Sequence, residues 1–250
     1  GVDLTGTHVW ADKKISVIGG HECANVPLGI DNCDHLEQQL YPLETWSHLY
    51  VADSFKPRSQ TQVDVWRVMA GDNDVTVTTN PPVPGYEQFK LQRGGWIQFA
   101  APGTFQVESD GPVMVGHYLT GSTYPGSQLA CVDAATGTES AIGDPAFTLA
   151  VPVKRYLKSY NVLTPEGYAE NYLNIVVPTG ASVTIDGAPL QAPIIPVAGT
   201  AYGIARPAVS PGAIHFVTGT APIGLTAYGY DCDVSYAYPG GMKLQAITEN

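Results

Sequence analysis

The stretch that decides the fold reads Pro102-Gly-Thr-Phe-Gln-Val-Glu-Ser-Asp-Gly-Pro112-Val-Met-Val-Gly-His-Tyr118, and it returns as Pro211-Gly-Ala-Ile-His-Phe-Val-Thr-Gly-Thr-Ala-Pro222-Ile-Gly-Leu-Thr-Ala-Tyr228. The central prolines are 110 positions apart, and so are the closing tyrosines. Two copies of one unit explain this spacing most simply. Apolar and polar residues alternate on both sides of the central turn, which is typical of a half-buried antiparallel β-hairpin.

Three further pairs of segments extend the equivalence towards the N-terminus. Residues 66–70 match 173–177, residues 75–77 match 183–185, and residues 49–51 match 159–162. A third, partial copy opens the chain, where segments 6–10 and 15–17 flank a turn at 11–14 and predict a hairpin. Either these residues are the end of a unit whose front half is missing, or the hairpin completes a sheet of the later copies.

We therefore predict an all-β protein of two tandem antiparallel β-sandwich units that form an internal repeat. The predicted boundaries are 45–120 for the first unit and 155–250 for the second, with a connection at 121–154. Residues 1–44 contribute the N-terminal hairpin and a short, helix-containing disulfide loop. The helix is predicted at 34–40, because Asp34 can cap it and Tyr41-Pro42 would end it.

The charge of the chain argues against one class of partner. The formal net charge is −11, with only 12 lysines and arginines among 250 residues. A phosphate backbone would be repelled by most of such a surface, so we expect no nucleic-acid partner. Since no run of 18 apolar residues is present, we also expect no direct membrane span.

The four cysteines indicate an oxidising environment outside the cytoplasm. Cys23 and Cys33 bracket a nine-residue loop rich in residues that disfavour order, where a bridge would stabilise the fold by about 2 to 3 kcal/mol in the chain-entropy account. Cys131 and Cys232 follow equivalent strand ends, so a bridge between them could join the two units. Four cysteines allow three pairings, and four buried free thiols in a cytosolic protein are the alternative.

Several segments resemble a known family over nearly the whole chain. They are Gly20-His-Glu-Cys-Ala-Asn-Val-Pro27, Cys33-Asp-His-Leu-Glu-Gln-Gln-Leu-Tyr-Pro42, Thr45-Trp46, Gly143-Asp-Pro-Ala-Phe-Thr-Leu-Ala-Val-Pro152 and Val234-Ser-Tyr-Ala-Tyr-Pro-Gly-Gly-Met242. In this order they are similar to the IgGFc-binding protein N-terminal family. The resemblance implies a secreted or cell-surface module of large multidomain proteins, found in animal mucus proteins and bacterial surface proteins, which binds partners instead of catalysing a reaction.

Candidate metal sites are weak in this sequence. His21 and His35 flank the disulfide loop, but neither belongs to a short, fixed spacing of the kind that predicts zinc ligands. The histidines His8, His48, His117 and His215 lie in strand-like segments and are expected to be surface or hydrogen-bonded strand residues. Calcium is a minority alternative, because acidic and amide side chains at 31–34, 72–74 and 231–233 are also what β-turns require.

The sequence contains no catalytic constellation that we can identify, and we predict no enzyme and no cofactor. The leading hypothesis is an extracellular adhesion or binding module that recognises a protein or a glycan and is similar to an IgG-Fc-binding module. We expect the contacts at Glu22, His35, Glu37 and Trp46, because this region interrupts the repeat. Alternatives are a spacer or fibre-tip unit that assembles through β-edges and a metal-dependent hydrolase that uses His21 and His35; the oligomeric state stays open.

Overall fold

The computed structural model describes residues 3–127, 129–133 and 136–244, and they form an all-β protein. The strands are β1 (Ile18–Ala24), β2 (Asp34–Gln39), β3 (Ser47–Ala52), β4 (Asp64–Ala70), β5 (Val75–Asn80), β6 (Gln88–Leu91), β7 (Trp96–Ala101), β8 (Phe105–Tyr118), β9 (Leu129–Val132), β10 (Glu139–Ala141), β11 (Phe147–Leu149), β12 (Leu157–Leu163), β13 (Glu170–Pro178), β14 (Val183–Ile185), β15 (Ala188–Pro189), β16 (Ile195–Pro196), β17 (Tyr202–Ala205), β18 (Ile214–Asp231) and β19 (Val234–Pro239). Two single turns of 3₁₀ helix, Leu43–Thr45 and Val153–Arg155, precede β3 and β12.

One long strand organises each unit. In the first unit, the N-terminal half of β8 pairs with β3 and β5, and its C-terminal half pairs with β4 and β11. In the second unit, β18 pairs in the same way with β12 and β14, then with β13 and β19. Because each long strand takes part in two curled layers, the apolar side chains between the layers form one core per unit.

The predicted internal repeat is confirmed by a hydrogen-bonded tyrosine in each unit. The Tyr50 hydroxyl donates to the carbonyl of Val113 at 2.5 Å and accepts from the Ser47 amide at 3.1 Å. In the second unit, the Tyr160 hydroxyl donates to Ile223 at 2.5 Å and accepts from Leu157 at 2.9 Å. The tyrosines lie at the same spacing of 110 residues as Pro112 and Pro222.

The N-terminal region differs from the sequence-based prediction in two respects. No strand lies between residues 3 and 17, so the hairpin predicted at 6–17 is wrong; the hairpin is instead formed by β1 and β2. The helix predicted at 34–40 is also wrong, because this segment is the strand β2. Leu36 points into the core while its neighbours His35 and Glu37 are exposed, which is the alternation of a strand.

The two units share an apolar interface. One cluster combines Val51 of the first unit with Tyr156, Val176 and Ile204 of the second, and another joins Phe55 to a group of tyrosines. Buried polar groups reinforce this contact. The Asn174 amide donates to the carbonyls of Asp53 and Ser54 at 3.1 and 2.9 Å, and Arg206 donates to Ser54 and Thr104. The interface fixes the second unit against the 52–63 segment of the first.

The described ranges contain no helix of the length and apolarity that a membrane crossing would need.

Candidate binding surface on the disulfide hairpin

The β1–β2 hairpin carries the region that the sequence singled out. The Cys23–Cys33 disulfide closes its loop, with the two Cα atoms 5.0 Å apart. The buried side chains of Val26, in the loop, and Leu36, on β2, pack with Val65 of β4. The hairpin is thus attached to the first unit by an apolar contact that contributes roughly 1.5 to 3 kcal/mol for each fully buried large side chain.

Hydrogen bonds hold both ends of the disulfide loop on the connection between the units. The Gly121 amide donates to the Val26 carbonyl at 2.8 Å near the start of the loop. Near its end, the Asn32 amide group donates to the Ser122 hydroxyl at 2.7 Å, and the Thr123 hydroxyl donates to the Asp31 carbonyl at 2.8 Å. A loop fixed in this way loses little conformational entropy when it binds a partner.

The tip of this anchored loop exposes an apolar side chain. Leu28 is 93% exposed, although Val26, two residues before it, is buried. An exposed leucine alone needs no explanation, since much of any protein surface is apolar. A leucine presented at the tip of a cross-linked loop is, however, suited to insert into a pocket of a partner.

Three of the predicted site residues lie on the exposed part of the hairpin. His35 and Glu37 are two residues apart on β2, with Nε2 and Oε2 3.5 Å from each other, and their side chains are 60% and 69% exposed. Glu22 on β1 is exposed as well. Because an exposed polar contact of this kind contributes little to stability, these groups can be reoriented towards a partner at small cost.

Trp46, the fourth predicted residue, lies elsewhere. It is half-buried at the end of the first 3₁₀ turn, where its indole N–H donates to the Tyr41 carbonyl at 3.0 Å. Within the described residues, its side chain makes no hydrogen bond to Glu22, His35 or Glu37. Its position indicates a structural role in fixing the turn before β3.

The histidines form no metal centre in the part of the chain that is described, where no group of three or more His, Cys, Asp or Glu side chains could hold an ion. His21 accepts a hydrogen bond from the Cys23 amide at 3.1 Å. Among the strand histidines, His117 is stacked between Trp66 and Phe55 and bonded to Asp64, whereas His215 is bonded to Asp186. The described residues therefore offer no donor set to the hydrolase alternative.

The second disulfide links the connection between the units to the second unit. Cys131 in β9 is bonded to Cys232, which follows β18, with the Cα atoms 5.7 Å apart. An open groove of about 600 Å³ adjoins the first disulfide, and it is lined by Asn25, Asp31, Asn32, Cys33, Ser140, Asp144 and Asp233. Burial raises the pKa of the Asp144 carboxyl, although the Ser122 amide donates to it at 3.1 Å. The groove is therefore acidic and adjoins the hairpin loop.

The sequence indicated some of these features and concealed others. The cysteine loop and the exposed charged residues of the hairpin could be predicted from the cysteine spacing and the composition. Leu28 and the groove carboxylates Asp31, Asp144 and Asp233 were not identified as one surface. Asp144 and Asp233 are far from the hairpin in sequence, and only the tertiary fold brings them beside it.

Comparisons with known proteins agree with this architecture. The family model described as IgGFc binding protein matches residues 1–229. The human IgGFc-binding protein is 26% identical over 241 residues, which cover 94% of this chain and 4% of that protein. The chain thus spans only a small part of the human relative. No solved structure matches the chain significantly. Since the family model covers most of its length, the chain belongs to the IgGFc-binding protein family.

Proposed function

We propose that this chain is a non-catalytic extracellular module that binds a protein partner through the disulfide hairpin. The hairpin surface comprises Glu22, Leu28, His35 and Glu37, together with the adjoining acidic groove. The observation that carries the proposal is the tip of the loop, where a 93% exposed leucine stands on a loop held by a disulfide and by hydrogen bonds at both ends. Such a preorganised projection gives affinity without a large cost of ordering.

Two lines of support favour an extracellular location. Both pairs of cysteines are bonded, and disulfides persist in oxidising compartments. The chain also belongs to a family named for binding the Fc part of an antibody.

Fc is, because of this family name, the first partner to test. The acidic groove favours a partner surface with lysine or arginine beside an apolar pocket.

A glycan is the second partner class. Sugar rings commonly stack on exposed aromatic side chains, and Trp46 was the aromatic candidate of this region. Its half-buried position and its bond to Tyr41 weaken that alternative. We therefore place the protein partner first.

The test is a binding measurement with matched variants. Human IgG Fc and, as a control, Fab fragments are immobilised, and a glycan array is probed in parallel. We expect binding to Fc, with a loss of about tenfold or more in affinity for Leu28→Ser and for the double variant H35A/E37A, since truncation of a hot-spot contact costs about 2 kcal/mol or more.

The matched control is Leu163→Ser, which makes the same substitution at a 56% exposed leucine of β12, in the second unit. It should bind like the wild type. Equal affinity of all variants would show that the hairpin is not part of the interface. Binding to glycans but not to Fc would reject the protein partner tested here.

A further inference from the structure

One backbone hydrogen bond of the β1–β2 hairpin can be aligned with one in each of the two complete units. The Ala150 amide donates to Val115 at 2.9 Å where β11 joins β8, and the Gly240 amide donates to Leu225 at 2.7 Å where β19 joins β18. The Leu40 amide donates to Val17 at 2.9 Å where β2 joins β1. We therefore align Leu40 with Ala150 and Gly240, and Val17 with Val115 and Leu225; Leu40 and Ala150 lie 110 residues apart, which is the spacing of the repeat.

Glycines upstream of these positions support the same equivalence. Gly6, Gly103 and Gly212 each have positive φ, of 92°, 73° and 63°. The last two lie just before β8 and β18. Residues 3–24 therefore correspond to a long strand of the β8 type, of which only the second half, β1, is formed.

The equivalent strands differ in how many neighbours they have. The C-terminal half of β8 lies between β11 and β4, and that of β18 lies between β19 and β13. β1 pairs with β2, and no other described strand pairs with it. The edge that β4 and β13 occupy in the complete units is open on β1.

The register identifies the backbone groups on this edge. Bonded and non-bonded pairs alternate along an antiparallel ladder. Because Leu40 donates to Val17, the residues Gly19 and His21 face β2, whereas Ile18 and Gly20 direct their N–H and C=O groups outwards. Their counterparts on β8 are Gly116 and Tyr118, which pair with Arg67 and Val65 of β4.

Burial gives the same result. Ile18 is 68% exposed, whereas its counterparts in the two complete units are buried, at Gly116, and half-buried, at Thr226. An open edge next to an exposed branched side chain is a site for addition of another strand.

We propose that the open β1 edge is a docking site for a strand of the β4 and β13 type from another β-unit of the same repeat. The incoming strand runs antiparallel to β1. A residue equivalent to Arg67 pairs with Ile18, and a residue equivalent to Val65 pairs with Gly20. This inference is independent of the proposed Fc contact. It names β1 as the edge for the alternative function, which was assembly through β-edges.

The test uses the chain with two synthetic peptides as probes, one with the sequence of residues 63–71 and one with that of residues 169–178. Residue-resolved amide exchange is measured with and without peptide. We expect at least about tenfold slower exchange at Ile18 and Gly20, because their amides become hydrogen-bonded. Scrambled peptides of the same composition should leave both amides unchanged.

A variant pair makes the test specific to this edge. Ile18→Pro removes an N–H that β2 does not use, whereas Ile18→Thr keeps it. Peptide affinity should fall about tenfold or more for I18P and remain near the wild-type value for I18T. Formation of the Cys23–Cys33 bridge and slow exchange at Leu36 will show that the hairpin of I18P has folded. If I18P does not fold, the exchange pattern of the wild type with peptide tests the proposal without it.

No binding of either peptide, or protection confined to other strand edges such as β6 or β7, would overturn the proposal.

Discussion

At the scale of single residues, the paired tyrosines Tyr50 and Tyr160 give the repeat its most specific interaction. Each hydroxyl lies in a core and bridges two segments of backbone, as donor to the long strand and as acceptor from the first residue of the tyrosine's own strand. Removal of such a hydroxyl leaves a buried carbonyl and a buried amide without their partner, which costs more than the net value of one hydrogen bond.

We predict that Tyr50→Phe and Tyr160→Phe each lower the free energy of unfolding by about 1 to 3 kcal/mol. Equilibrium denaturation in urea measures the effect. Tyr86→Phe is the matched control, because the Tyr86 ring stacks on Phe99 while its hydroxyl makes no hydrogen bond within the described residues. A loss at Tyr50 with none at Tyr160 would contradict the structural equivalence of the two sites.

A second residue-scale prediction concerns Asp53, which is buried at the interface of the units. Burial raises the pKa of its carboxyl from 3.8 to about 6, while His117 and Arg206 act in the opposite direction. In the folded state this group therefore holds its proton at pH values where the unfolded chain has released it. By linkage, its contribution to stability is complete below about pH 4 and is lost as the pH rises to about 6.

We expect the unfolding free energy of the wild type to include a decrease on the order of 1 to 3 kcal/mol across this window. Asp53→Asn should lack that component, so the difference between the two proteins isolates it from other titrations. Asp12→Asn, at an exposed carboxylate, is the control. Parallel stability curves for wild type and D53N between pH 4 and 6.5 would show that Asp53 does not titrate there.

At the scale of elements, the strands of the two units were predictable and the hairpin was not. Alternation in the 105–118 and 214–228 segments is long enough to exclude a helix. In segment 34–40 the apolar residues Leu36 and Leu40 are four positions apart, a spacing that fits a helical turn as well as a strand. Pairing with β1 decides the matter, and that contact cannot be read from the segment alone.

The candidate surface was predictable to a similar extent. The cysteine loop marked the region because it interrupts the repeat, and its charged residues Glu22, His35 and Glu37 are exposed as a binding role requires. Trp46 is half-buried and bonded to Tyr41, a position that its sequence could not reveal, since a tryptophan next to a turn gives no sign of whether its ring faces solvent or chain.

The disulfides provide a prediction at the scale of elements. Cys23–Cys33 closes a loop with a sequence separation of 10, and Cys131–Cys232 one of 101. In the chain-entropy account, replacing both cysteines by serine costs about 3 kcal/mol for the short loop and about 5 kcal/mol for the long one. Urea denaturation of C23S/C33S and C131S/C232S measures both, and a larger loss for the short loop would contradict this ranking.

At the scale of the whole molecule, the fold consists of two closed copies of a unit and a third, open partial copy. The closed copies share an interface in which Asn174 and Arg206 satisfy backbone carbonyls of the neighbouring unit. The open copy is the β1–β2 hairpin, which carries both the anchored loop with Leu28 and the unpaired edge of β1. The surfaces that we assign to partners are therefore located where the repeat is incomplete.

The most direct test of this account is amide hydrogen exchange of the free chain, resolved by residue. Ile18 and Gly20 of β1 correspond to Gly116 and Tyr118 of β8 and to Thr226 and Tyr228 of β18. We predict that the amides of β8 and β18 exchange at least about a thousandfold more slowly than those of Ile18 and Gly20, because only the former are bonded to a neighbouring strand. Equal protection at all three sets of positions would contradict the open third copy.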